Sequence, residues 1–271
     1  MTPAVFFAGL PSDLPPISLT FLLGRPYNPT LPKEARMNQK EAGRKRDHRI
    51  KVVKNGPYIV SGGVPLAEEN IVLGEDGVPV GWEHGLEYPR QATYALCRCG
   101  ASKKKPFCDG THVASGFDGT ETAGHEKYED QAELTSGPGL DLTWSPNLCA
   151  VARFCHRAGD AWTLAEISDD PEARETAIQE ACACPSGSLV ARDKKTGLAI
   201  EPDLELSIGL IETPGTNFSG PLWIRGGIPV ESSEGFEYEI RNRVTLCRCG
   251  ASKNKPFCDG THIALKFSSR S

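Results

Sequence analysis

The sequence predicts an α+β chain. Two small β-rich modules, each of short strands and a short metal-binding helical turn, are separated by a small α+β module. Three observations predict this. A sixteen-residue stretch occurs at 97–112 as CRCGASKKKPFCDGTH and at 247–262 as CRCGASKNKPFCDGTH. A wider repeat surrounds it, NGPYIVSGGVPL at 55–66 and SGPLWIRGGIPV at 219–230. Between the copies, residues 144–213 change pattern and carry helix starts and a hairpin signal. With 39% hydrophobic and 24% charged residues, the composition is that of a globular protein. Its 28 glycines and 21 prolines favour turns over long helices. The net charge of −5 argues against nucleic acid as the main partner.

Residues 1–46 are expected to be a disordered N-terminal arm. The apolar run Ile17–Leu23 is too short to span a bilayer and has no basic residue before it. An upstream start ahead of a true start near Met37 would also account for 1–36. The basic stretch 33–54 reads as a solvated arm entering the first strand.

Residues 47–117 form the first module. Asn55-Gly56 marks a hairpin turn. An apolar strand follows, then Gly62-Gly63, which reads as a sheet bend. A strand over Thr93–Leu96 leads into the cysteines. Residues 214–271 repeat the plan, with the last strand at Arg243–Leu246. The first unit has about fourteen more residues between Leu66 and Cys97 than the second has at the same place. They include GEDGVPVGWEHG, a surface hairpin or loop.

Each sixteen-residue copy places three thiols and one imidazole at C-x-C-x8-C-x3-H: Cys97, Cys99, Cys108 and His112, then Cys247, Cys249, Cys258 and His262. Thiolate and neutral imidazole together make a complete ligand set for iron or zinc. Gly100 can supply the bend after C-x-C, and Pro106 stiffens the return. Asp109 can cap a short helix on which Cys108 and His112 share a face. Ten cysteines, about 4% of the chain, fall well below the density of disulfide scaffolds. Spacing alone leaves a structural zinc site open.

These residues resemble the signature of the CDGSH iron–sulfur (NEET) family: C-x-C, Ser or Thr, Pro, then C-D-G-x-x-H. Ser102, Pro106, Asp109 and Gly110 match in the first copy, and Ser252, Pro256, Asp259 and Gly260 in the second. Thr111 and Thr261 stand where the family's name has Ser, which keeps the hydroxyl. The resemblance implies one [2Fe-2S] cluster per motif, held by three cysteines and one histidine. It also implies that two motifs in one chain pair with each other, making a monomer with pseudo-two-fold repeats rather than an obligate dimer.

Residues 118–143 are acidic and read as a linker leading into a strand near Leu140–Thr143. In the middle module, 144–213, Ser145-Pro146 starts a helix expected to run through Cys149 and Cys155 to about Ala158. Asp170-Pro171 starts another, running to about Ala183, and Thr196-Gly197 turns a hairpin. The cysteines resemble divergent single-cluster ferredoxin-like domains. That resemblance implies Cys149, Cys155 and Cys184 as ligands of a [3Fe-4S] or [4Fe-4S] cluster, with Cys182 or His156 as a fourth. The other reading is a small helical module with cysteines packed as apolar residues. His48, His84 and His125 sit in polar, turn-rich sequence and read as surface residues.

No catalytic nucleophile with its base, phosphate loop or dinucleotide fingerprint occurs, so no enzyme is expected. The expected function is electron transfer or redox sensing, or cluster transfer. The partner would be a redox protein or an apo-protein acceptor. The alternative is a structural zinc-binding interaction module. An intracellular, soluble protein is expected, cytoplasmic, or mitochondrial in a eukaryote.

Overall fold

A computed structural model describes residues 48–216 and 218–270. The expectations for 1–46 lie outside them. The strands are β1 (Arg49–Val52), β2 (Tyr58–Ser61), β3 (Leu66–Leu73), β4 (Pro79–Glu87), β5 (Thr93–Leu96), β6 (Glu133–Ser136) and β7 (Leu140–Trp144). They continue with β8 (Leu189–Asp193), β9 (Ala199–Ile200), β10 (Ser207–Thr213), β11 (Phe218–Arg225), β12 (Val230–Glu231) and β13 (Arg243–Leu246). The helices are α1 (Thr111–Ala114), α2 (Tyr128–Gln131), α3 (Ala161–Glu166), α4 (Pro171–Ala183) and α5 (Thr261–Ala264).

The two repeats exchange strands. One sheet has the order β12-β1-β2-β5 and a second β13-β11-β10-β3-β4. β3 leaves the first repeat and runs parallel to β10, pairing Ile208 with Leu66. β12 leaves the second repeat and runs parallel to β1, pairing Ile50 with Val230. The exchanges occupy equivalent places, so the repeats are related by a pseudo-two-fold. The Gly-Gly pairs at 62–63 and 226–227, all with positive φ, redirect the chain from one sheet to the other. Both sheets bury their apolar faces in one shared core. Ile50, Val52, Tyr58, Val60 and Leu96 pack there with Ile208, Leu210, Leu222, Ile224 and Leu246. Alternation along β1, buried at Ile50 and Val52 and exposed at Arg49 and Lys51, sets the register.

The insertion in the first repeat is the hairpin β3–β4, turning at 74–78. Its Trp82 stacks on Phe154 at 4.8 Å and packs at a tilt against Trp223 at 4.6 Å.

The middle module is an antiparallel sheet, β6-β7-β8-β9, covered by α3 and α4. Asp170 caps α4 through its carboxylate, with Pro171 at the first position, as the sequence predicts. The expected helix from Ser145 does not form. Two separate 3-10 turns form instead, Pro146–Leu148 and Phe154–His156, joined by irregular chain. Val151 and Arg153 take left-handed φ of 57° and 65°, which no α-helix admits. The apolar residues there serve separate clusters: Leu148 packs with Tyr128 and Val190, Phe154 with Trp82.

The acidic stretch 118–143, expected as a linker, is not free chain. It holds α2 and β6 and most of β7. The amides of Thr122 and Ala123 donate to the Lys255 carbonyl, and Glu121 accepts from Ser233 N at 2.8 Å. Arg243 ties the middle module to β13. It donates to the carbonyls of Cys184 at 2.7 Å, Ala181 and Leu189 and pairs with Glu201. No helix among the described residues is long and apolar enough to cross a membrane.

Candidate metal centres

Each sixteen-residue copy is built as an extension of a strand. β5 continues into Cys97, whose amide donates to the Pro106 carbonyl at 2.8 Å; the Cys108 amide returns to Ala95 at 2.9 Å. Cys247 and Cys258 repeat this with Pro256 and Thr245. Ser102 Oγ donates to Phe107 O at 2.7 Å and accepts from Lys104 N at 3.0 Å. Asp109 accepts from Lys103 N at 2.8 Å and Thr111 N at 3.0 Å. It therefore ties the first amide of α1 to the cysteine loop, but the N-cap is Gly110 in the left-handed region, and Cys108 precedes the helix rather than sharing a face of it with His112, as was expected. The Thr111 hydroxyl, contributing most, and these two amides hold the Asp109 carboxyl well below its usual range. Ser252 and Asp259 do the same work in the second copy.

The structure brings the predicted ligands together in pairs. Cys97 Sγ lies 3.7 Å from Cys99 Sγ, and Cys108 Sγ lies 3.4 Å from His112 Nδ1. In the second copy the distances are 3.6 Å for Cys247–Cys249 and 3.3 Å for Cys258–His262. Two thiolates about 2.3 Å from one tetrahedral metal are about 3.8 Å apart, so each Cys-x-Cys pair is within about 0.2 Å of the bite of a single metal atom. The Cys–His pairs are slightly tighter than such a bite. Among the described residues, no three His, Cys, Asp or Glu side chains close on one ion-sized point. Backbone amides turn toward the sulfurs: Ala101 N to Cys99 at 3.4 Å and Gly260 N to Cys258 at 3.4 Å. The hydrogen bond between Cys247 and Cys249 lowers the first thiol and raises the second, so the pair sheds one proton readily and holds the other, while burial raises Cys258.

With this geometry in place, the comparisons are specific. The family model described as iron-binding zinc finger CDGSH type matches residues 55–113 and 219–263, and the one described as divergent 4Fe-4S mono-cluster matches 135–194. Two CDGSH iron–sulfur domains flank a divergent mono-cluster domain. No curated protein and no solved structure matches the chain.

In the mono-cluster domain, Cys149, Cys155 and Cys184 lie near enough to feel one another's charge. Burial pushes Cys155 up to about 12, and the other two sulfurs add to it. Burial also raises Cys184, but Arg243, Ser186, the Leu189 amide and Ser188 together outweigh it and leave the thiol below its ordinary value. Of the two residues considered as a fourth ligand, Cys182 also feels the charge of Cys184. Cys182 Sγ approaches the Ile200 carbonyl at 3.6 Å, and His156 lies 3.5 Å from Asp160.

His84 is exposed between Glu69 and Glu87, and His125 stacks on Phe236 at 3.8 Å. Sequence reasoning missed the arginine inside each C-R-C. Arg98 is buried and donates to the carbonyls of Gly56 at 2.9 Å, Gly119 at 2.9 Å and Val53 at 3.1 Å. Arg248 donates to Gly220 and Ile211 and pairs with buried Glu212 at 2.7 Å. These bonds fasten each CDGSH loop to its sheet. The recurrence of Arg between both cysteine pairs was the available signal. Tyr58 was also missed: its hydroxyl lies 2.8 Å from the Cys247 carbonyl and 3.1 Å from the Pro256 carbonyl. The wider repeat puts Leu222 at the equivalent position.

Proposed function

We propose that each CDGSH quartet holds one [2Fe-2S] cluster. Cys97 with Cys99, and Cys108 with His112, would each grip one iron; Cys247 with Cys249, and Cys258 with His262, would repeat this. Cys149, Cys155 and Cys184 would hold a [3Fe-4S] or [4Fe-4S] cluster. Bound clusters of this kind supply one-electron chemistry at a potential set by charge, hydrogen bonds and exposure. The role is that of a carrier or sensor of electrons, or a donor of clusters, rather than an enzyme. The partner is a redox protein or an apo-protein acceptor, and the chain acts as a monomer. The observation that carries this reading is the pairing of four ligands as two metal-sized bites, twice, on scaffolds that direct amides at the sulfurs. His112 and His262 contribute neutral ligands in place of thiolates, which lowers the negative charge at each site and favours the reduced state.

Iron, acid-labile sulfide and a visible spectrum of freshly purified protein test it. About four irons per chain are expected from the two quartets, and about seven or eight if the middle site is filled. A colourless protein holding stoichiometric zinc would overturn it. Replacing His112 and His262 by Cys separates the roles. A carrier keeps cycling at a shifted potential, whereas a donor loses transfer to its acceptor.

A further inference from the structure

The two CDGSH copies differ only at Lys104 and Asn254, yet the chain surrounds them differently. At Gly110 a Cβ would meet nothing within 4 Å. At Gly260, the same place in the second copy, it would run into the Val151 side chain, with the Cys149 carbonyl 3.8 Å away. The ligands follow suit. Cys108 and His112 are partly exposed, whereas Cys258 and His262 are 2% and 6% exposed. The residue that distinguishes the copies touches the same loop: Asn254 Nδ2 donates to the Asn147 carbonyl at 2.6 Å.

This loop, residues 147–156, belongs to the middle domain and is firmly held. Phe154 is buried and stacked on Trp82, which the first repeat's extra hairpin supplies. Val151 sits in a backbone region that β-branched residues avoid. A conformation of that kind persists only where its surroundings over-determine it.

We propose that residues 147–156 are a cover over the second CDGSH site. The first site then gives up its iron and sulfide to an acceptor, and the second retains them. This rests on reading the quartets as cluster sites. On release, Cys97, Cys99, Cys108 and His112 give up their bonds to iron and the acceptor's thiolates form the replacing bonds. The acceptor's thiol protons pass to the three freed thiolates and to solvent, and no electron changes hands.

The test follows visible absorbance and chelated iron when the purified full-length protein is mixed with excess EDTA. Two phases of equal amplitude are expected from the quartets, the slower by at least about tenfold because release there waits for the loop to open. His112→Cys slows only the fast phase and His262→Cys only the slow one; a phase that neither moves belongs to the middle site. Val151→Gly suits the positive φ and removes the cover's side chain. It brings the slow phase to within about threefold of the fast one, as loss of a local barrier requires. Asn254→Lys, which restores the first-copy residue, shifts it the same way. One common rate for both quartets, or a slow phase that neither Val151→Gly nor Asn254→Lys changes, overturns the cover. Protein without visible absorbance or sulfide instead overturns the reading of the quartets.

Discussion

Gly100 and Cys249 press against each other across the pseudo-two-fold. A Cβ on Gly100 would sit 2.6 Å from the Cys249 carbonyl oxygen, and one on Gly250 would sit 2.5 Å from that of Cys99. The two ligand loops therefore touch through their backbones. Both glycines also hold positive φ, 76° and 87°. Gly100→Ala should cost about 2–5 kcal/mol, combining about 1–2 for the left-handed backbone and about 1–3 for the displaced neighbour. Because the neighbour is a ligand loop of the other domain, both quartets should lose visible absorbance. Gly110→Ala meets open space and should cost only about 1–2 kcal/mol. Urea midpoints of the two variants check the difference.

Tyr58→Phe deletes a buried hydroxyl that faces the Cys247 and Pro256 carbonyls. A loss of about 1–3 kcal/mol is expected, since the Cys247 carbonyl loses this buried donor, while the Pro256 carbonyl keeps the Cys247 amide. The effect should be confined to the second CDGSH site, because Leu222 at the equivalent position offers no hydroxyl to the first. Chelator-driven iron loss, resolved by site, measures this.

Glu212→Gln leaves Arg248 buried without its carboxylate. Breaking such a pair costs about 3–5 kcal/mol. It also leaves a positive charge uncompensated near the second quartet, so the potential of that site should rise relative to the first. A redox titration followed by electron paramagnetic resonance reads the shift, and a fall in the second site's potential would contradict it.

Glu180 is fully buried on α4 and accepts from Ala158 N at 2.7 Å, and burial raises its carboxyl above the ordinary value. The folded chain therefore holds this proton more tightly than the unfolded chain. The stability it contributes is present below the unfolded pKa and is lost as pH rises through the folded one. Glu180→Gln keeps an acceptor for Ala158 and removes the titration. The variant should lose less stability than the parent between about pH 5 and pH 8, as thermal melts at the two values will show.

Local signals carried much of the fold. The strands Thr93–Leu96 and Arg243–Leu246, the Asp170-capped helix and the Thr196-Gly197 hairpin were legible because each is written in a few neighbouring residues. The quartets were legible because their spacing is fixed within sixteen residues. The parallel pairings of β3 with β10 and β12 with β1 were not, since no short window records which distant strand a segment joins. The loop after Leu148 misled for a different reason. Ser145-Pro146 marks a helix start, but Leu148, Val151 and Phe154 face three different surfaces, and only one turn follows it. α3 escaped notice although Asp160 and Thr163 mark its start through a capping bond of 3.1 Å.

The crossing of β3 and β12 has a consequence for biosynthesis. Each half of the polypeptide carries a border that only the opposite half can use. The early half, on leaving the ribosome, has an open edge at β1 that stays unfilled until Val230 and Glu231 are made. Cutting the gene between the halves should yield two fragments that are insoluble when expressed singly and recover each other when expressed together.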